Sequence, residues 1–249
     1  MSTKGALKHA RSLQQKKFRD LHGQFLVQGP KVVQELLASG WPVEEVFATA
    51  EQADRMALRG ATIVPAHELE RVGTMESGNE VIAIARRPGS EGPEADVAPD
   101  ELVLALDGIS DPGNLGTLIR IADWFGVKRL WCAQGSVDAY NPKTVQAAMG
   151  ALFRIPVAVV DLPAMLARQL EMGVPVYLAT MEGRSVFEVE LARRGVLVLG
   201  SESHGLSPEV RALKATLIGI PGGGGSESLN VATAAAALCM EFTRQRLAE

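Results

Sequence analysis

From residue 101 onward the chain alternates short apolar runs with helical stretches, and this alternation limits the possible folds more than any other feature. "ELVLALDGI" reads as a buried strand. "NLGTLIRIADWFG" reads as a helix with Leu115, Leu118, Ile119, Ala122 and Phe125 on one face, closed by Gly126. "VKRLWCA", "IPVAVV", "VPVYLAT", "GVLVLGS" and "TLIGIP" read as further strands. Helices are expected at "NPKTVQAAMGAL", at "LPAMLARQLEMG" and over residues 228–247. Strands alternating with helices predict an α/β domain whose parallel sheet is covered on both faces. In such sheets ligands gather outside the C-terminal ends of the strands.

The first part reads as a separate, smaller α/β unit. "ALKHARSLQQKKFRDL" places Leu7, Ala10, Leu13, Lys17 and Leu21 near helical spacing. "FLVQGP" predicts a strand followed by a helix with Pro30 in its first turn, carrying Val32, Val33, Leu36 and Leu37 and stopping at Gly40. "VEEVFAT", "ATIVP" and "EVIAIARR" predict further strands, with helical pieces near 51–58 and 66–72. Residues 88–100, "PGSEGPEADVAPD", combine Pro88, Pro93 and Pro99 with Gly89 and Gly92 and show no apolar periodicity, so they read as a linker. The expected domains are therefore 1–87 and 101–249.

Composition removes several classes. The 47% hydrophobic and 22% charged content fits an ordinary soluble chain. No apolar run approaches the roughly 20 residues of a membrane span, and the charged N-terminus has no apolar stretch behind it. We expect a cytoplasmic protein with no membrane association. Cys132 and Cys239 lack metal-type spacing and read as reduced core residues. The net charge of −4 hides an asymmetry. Lys4, Lys8, Arg11, Lys16, Lys17, Arg19 and Lys31 face one acid, Asp20, a local charge of +6 over residues 1–31. That stretch reads equally as a dock for a polyanion or as a solvated basic helix.

Three strand ends share a chemistry. "DGISDPGNLGTLIR", "SESHGLS" and "GGGGSESLN" are polar, carry glycine and can cap a helix. The nucleotide fingerprints GxGxxG and GxxxxGK[ST] are absent, as are HExxH and any Cys/His cluster, so no metal is expected. The four glycines 222–225 directly before a helix-prone run suit a loop that holds a ligand with its backbone.

Taken in order, "DGISDPGNLGTLIRIADWFG", "LVLGSESHGLS" and "IPGGGGSESLNVATAAAAL" resemble the three motifs of the SpoU (TrmH-like) family of RNA ribose 2′-O-methyltransferases, within the knotted SPOUT class. The resemblance covers about residues 100–247 and departs from the family at Gly222, where methionine is frequent. It implies a deep trefoil knot, S-adenosylmethionine as cofactor, ribosomal or transfer RNA as partner, and a homodimer with both subunits near each site. Residues 1–87 resemble the small ribosomal-protein-like domain that often precedes this catalytic domain, a substrate-binding unit.

The resemblance also implies site residues, each with a plainer reading beside it. Asn114 is an active-site amide or part of a helix cap. Arg120 is the main catalytic candidate or a solvated arginine on a polar helix face; as a group always protonated, it suits oxyanion stabilisation better than a base role. Glu202 is a positioning carboxylate or a surface acid at a helix start. Ser228 and Asn230 match active-site positions and also read as helix caps. Thr180, Gly200, Ile220 and Leu229 are the expected cofactor contacts. Two other functions fit the same sequence: a non-catalytic RNA-binding protein on this fold, and a nucleotide-cofactor oxidoreductase.

Overall fold

The computed structural model describes residues 2–75, 77–88 and 96–248. Residues 89–95 of the expected linker lie outside the described residues. The chain forms two compact units.

The first unit is built on a four-stranded mixed sheet of β1 (Gln24–Gln28), β2 (Val43–Ala48), β3 (Thr62–Ile63) and β4 (Val81–Arg86) in the order β1-β4-β2-β3. Strand β4 runs antiparallel to both β1 and β2, and β3 runs parallel to β2. The single basic helix expected at the start is instead two: α1 (Thr3–Ser12) and α2 (Lys16–His22). Leu13 turns the chain and is itself fully buried, so the apolar spacing does not run through the break. Leu21, expected on the apolar face, is 71% exposed, and Phe18 packs inward in its place. Ala6, Leu7, Ala10 and Leu13 pack with Leu26, Phe47, Leu69, Val72 and Ile82 into one core. Helix α3 (Pro30–Ala38) begins with its proline in the first turn, where no amide partner is needed. Helices α4 (Ala50–Arg55) and α5 (Ala66–Val72) complete the upstream part.

Residues Asp138–Arg154 pack with this unit although they follow residue 101 in the chain. They contain α7 (Pro142–Ala148), which ends where Met149 and Gly150 take positive φ values of 51° and 92°. The chain then makes a 3-10 turn over Ala151–Phe153 rather than continuing the expected helix. Aromatic and charged contacts hold the segment. Tyr140 meets Phe25 at 4.8 Å between ring centres, and Phe153 meets Trp41 at 5.6 Å. The Arg19 guanidinium, 2% exposed, binds Asp138 at 2.8 Å and donates to the carbonyls of Leu13 and Gln14. A buried charge of this kind is stable only with such complete pairing.

The second unit carries a parallel sheet of β5 (Leu102–Asp107), β6 (Arg129–Ala133), β7 (Val157–Val160), β8 (Val176–Ser185), β9 (Gly195–Gly200) and β10 (Thr216–Gly219) in the order β10-β8-β9-β5-β6-β7. Strands β5 and β9 are central and, apart from Asp107 at the end of β5, free of polar side chains, because both of their faces are covered. Val103, Ala105, Trp131, Val176, Val196 and Val198 face one core with α8 (Leu162–Glu171) and α9 (Pro208–Arg211). The alternate residues Leu104, Leu106, Leu197 and Leu199 are equally buried, on the face served by α6 (Pro112–Trp124) and α10 (Val231–Ala248). Ala232 and Ala235 lie on the buried side of α10, where small side chains permit close packing. Cys132 and Cys239 are free and buried, and burial pushes each thiol up to about 12. No helix among the described residues is long and apolar enough to cross a membrane.

Candidate functional site

Because every strand of the second sheet points the same way, the segments leaving β5, β9 and β10 emerge at one end. Strand β5 finishes at Asp107, in register with Gly200 at the end of β9. The Asp107 carboxylate is 7% exposed and accepts a hydrogen bond from the Ser207 amide at 2.6 Å. It pins the loop after β9 to the end of β5. Asp107 is absent from the candidates drawn from sequence. Its signal was an acid closing an otherwise apolar strand directly before glycine.

The loop after β9 is a tight turn. Ser201 and Gly205 exchange backbone hydrogen bonds at 3.0 and 2.9 Å, and the Ser201 hydroxyl accepts from the His204 amide at 3.2 Å. Gly200 is forced by this turn: a Cβ there would lie 2.2 Å from the Gly205 carbonyl carbon. The edge of the sheet has a similar close approach. A Cβ on Gly183 of β8 would lie 2.3 Å from the Ile218 carbonyl carbon of β10.

The first loop ends in a defined cap. Asp111 accepts from the Asn114 amide at 2.8 Å, with Pro112 opening α6. Capping is therefore the work of Asp111, and the Asn114 side chain is released for other contacts. Its Nδ2 donates to Glu202, and its Oδ1 accepts from Asn230 Nδ2 at 3.1 Å. Asn230 caps α10 as well, its Oδ1 accepting from the amides of Ala232 at 3.0 Å and Thr233 at 3.3 Å. Both readings of Asn230 hold at once. One residue from each of the three loops thus joins a single polar cluster.

Beside this cluster lies a cavity of about 530 Å³. Thr180, Gly200, Glu202, Ile220, Ser228 and Leu229 all line it. Its floor is apolar, from Leu199, Ile218, Val231 and Leu238. The Thr180 hydroxyl is buried and has no hydrogen-bond partner among the described residues, an arrangement that a polar atom of a ligand would relieve. Glu182 and Arg211 also line the wall and form an ion pair with each other. Neither was singled out from sequence, since a charged residue at a strand end or in a short helix has no pattern of its own. Arg120 stands apart. It is exposed on α6, along the stripe of Thr117 and Trp124, and it is not among the residues lining the cavity.

An apolar floor with a few converging polar groups is the form of a small-molecule site, and the volume falls in the usual range of about 300–1,000 Å³. The Glu202 carboxylate suits a ligand with positive charge, and the exposed glycine backbone suits a flat group approaching closely.

Comparison with known proteins agrees with this geometry. Residues 101–240 match the SpoU rRNA Methylase family, and residues 4–86 match the MRM3-like substrate binding domain. The chain is 31% identical over 236 residues to the Bacillus subtilis 23S rRNA (guanosine(2553)-2′-O)-methyltransferase RlmP, covering 93% of each. It is similar to the SpoU methyltransferase AviRb from Streptomyces viridochromogenes in complex with the cofactor AdoMet, at TM-score 0.86 and 28% identity, with 99% of each chain covered. The AdoMet-bound rRNA methyltransferase from Sinorhizobium meliloti matches at TM-score 0.85 and 28% identity, over 98% of this chain and 96% of that one.

The close approach at Gly200 predicts a sharp difference between two glycines of the site. Gly200→Ala should destabilise the protein by about 1–3 kcal/mol or more, because the blocking atoms are backbone. Gly222→Ala should change stability by no more than about 0.5 kcal/mol, because nothing lies within 4 Å of an added Cβ. Urea denaturation of the two variants checks this. Equal stabilities would show that the turn yields to a side chain.

Proposed function

Since this chain belongs to the SpoU rRNA methylase family, we propose that it transfers a methyl group from S-adenosylmethionine to a ribose 2′-hydroxyl of ribosomal RNA. The observation that carries this reading is the cavity joined to the Asn230–Asn114–Glu202 cluster, where all three family motifs meet. The residues present fit the cofactor. The apolar floor would accept an adenine ring. Thr180, Gly200, Ile220 and Leu229 would hold it, and the Glu202 carboxylate would balance its positive charge. When bound, S-adenosylmethionine supplies an electrophilic methyl group. The protein's task is then positioning the ribose oxygen in line and stabilising charge on it as its proton passes to water. Asn114 fixes the Glu202 carboxylate at the cavity wall, where it orients the ribose. Arg120, always protonated, would hold an RNA phosphate and stabilise the developing 2′-oxyanion.

Arg120 is exposed and off the cavity wall, which supports a homodimer in which the arginine of one subunit serves the site of the other. Trp124, Met240 and Leu247 add exposed apolar surface on α6 and α10, at 83%, 63% and 81% exposure. The tight glycine passages at Gly183 and Gly200 support the trefoil knot that the family implies, since only backbone without side chains passes there. A ribosomal RNA substrate would place the protein in the cytoplasm.

The first unit would supply RNA affinity. Lys4, Lys8 and Arg11 form an exposed stripe on α1 opposite the buried Ala6, Leu7 and Ala10. Helix α1 is therefore a packed helix with one charged face. Arg19 is withdrawn into its pair with Asp138, and Lys16 pairs with Asp20 at 2.6 Å.

Purified protein with S-adenosylmethionine should methylate ribosomal RNA at a nucleotide that a 2′-deoxy substitution leaves unmodified; methylation of a base would refute the reading. Arg120→Ala and Glu202→Gln should each be inactive alone, yet a reassorted mixture should recover about a quarter of wild-type activity, as one intact site per mixed dimer requires. A dead mixture would place Arg120 and Glu202 in the same subunit's site or remove the dimer. Neutralising Lys4, Lys8 and Arg11 together should weaken RNA binding and lower its salt slope by about 2–3, measured as affinity against salt concentration, with cofactor affinity unchanged. An unchanged slope would assign the stripe to solvent.

A further inference from the structure

The residue at position 230 does more than cap a helix, and its chemical type is the clue. Ser, Asp and Asn all cap helices with similar strength. The α10 amides of Ala232 and Thr233 both point at one atom of Asn230, and an amide N–H accepts nothing. The atom facing the helix must therefore be Oδ1. This settles which way the side-chain amide is turned, since the two ends of an amide have nearly the same shape. Nδ2 is then aimed away from the helix, at Asn114, 3.1 Å away.

A donor arriving at Asn114 requires an acceptor there, so Asn114 presents Oδ1 to Asn230. Its own Nδ2 is left for the Glu202 carboxylate, which in its ionised form accepts only. Each amide therefore has its orientation dictated by the one before it. The chain begins at backbone amides of α10 and ends at a carboxylate on the cavity wall. It crosses 116 and then 88 residues of sequence. Reversal would set Asn114 Oδ1 against the carboxylate, two acceptors face to face.

We propose that Asn230 is a positioning residue that uses its helix cap to set the direction of the Asn230–Asn114–Glu202 hydrogen-bond chain, so that an N–H rather than an oxygen meets Glu202. Aspartate in place of Asn230 would preserve the cap and lose the donor. Asn114 would then turn its N–H toward the introduced carboxylate and its oxygen toward Glu202, which would leave its place on the wall. The inference rests on the methyl-transfer reading for its effect on rate, but the hydrogen-bond chain exists or fails independently of catalysis.

The test compares Asn230→Asp and Asn230→Ala with the wild type in the full-length protein. If the chain has this direction, Asn230→Asp keeps near-wild-type stability and S-adenosylhomocysteine affinity, while kcat falls about 100-fold, the scale of a misplaced reacting group. KM for RNA stays within about twofold of wild type on the same ground. A wild-type kcat for Asn230→Asp, with only Asn230→Ala impaired, would reduce Asn230 to a cap and overturn the proposal.

A second measurement needs neither turnover nor a stable Asn230 variant. In ¹⁵N-asparagine-labelled protein, the Asn114 side-chain amide signal should shift on Glu202→Gln, because its N–H bonds the carboxylate. An unshifted signal would overturn the proposal. Absence of methyl transfer by the wild-type protein would count against the proposed function alone, since the amide spectra still decide the chain.

Discussion

The parallel direction of the second sheet is the constraint on which the rest depends. Six strands run the same way, so every C-terminal end lies on one side. Segments far apart in sequence then have no choice but to meet. Asn114, Glu202 and Asn230 come from the ends of β5, β9 and β10, and they bond to one another only because the sheet delivers them together. An antiparallel arrangement would send alternate loops to opposite sides, and the cluster would not exist.

Two different physical requirements are met side by side at that end. Close backbone passage needs residues without side chains, which Gly183 and Gly200 provide. Fixed polar geometry needs donors and acceptors with one possible orientation. Asp111 and Asn230 supply it by anchoring to helix amides, and Asp107 does so by tying the loop after β9 to β5. The glycine run 222–225 has neither duty: nothing lies near an added Cβ at any of the four positions. Its openness fits a loop that meets a ligand rather than one that packs against the protein.

The first unit shows how a charge pattern in sequence is edited by folding. Seven basic residues stand against one acid over residues 1–31. Folding buries Arg19 against Asp138, pairs Lys16 with Asp20 and leaves Lys4, Lys8 and Arg11 in a row on α1. The buried pair also draws in residues Asp138–Arg154, whose aromatic side chains Tyr140 and Phe153 complete an apolar cluster with Phe25 and Trp41. Charge that looks uniform along the chain is therefore divided between a structural pair and a solvent-facing stripe.

The family resemblance singled out Asn114, Glu202, Ser228 and Asn230; the sequence alone determined the alternation of strands and helices, the parallel α/β class and the three polar loops. These were legible because apolar periodicity and helix-capping chemistry are local, written within a few residues of where they act. It also placed Thr180, Gly200, Ile220 and Leu229 through family resemblance, and all four line one cavity. Tertiary structure alone decided that residues Asp138–Arg154 pack with the first unit, that the initial basic helix breaks at Leu13, and that Arg120 lies off the cavity wall. It alone supplied the partners of Asp107, Arg19, Glu182 and Arg211. Each of these depends on a group tens of residues or more away. Local spacing records which side of a helix is apolar; it carries no record of which distant carboxylate, amide or backbone turn will be brought within hydrogen-bonding reach.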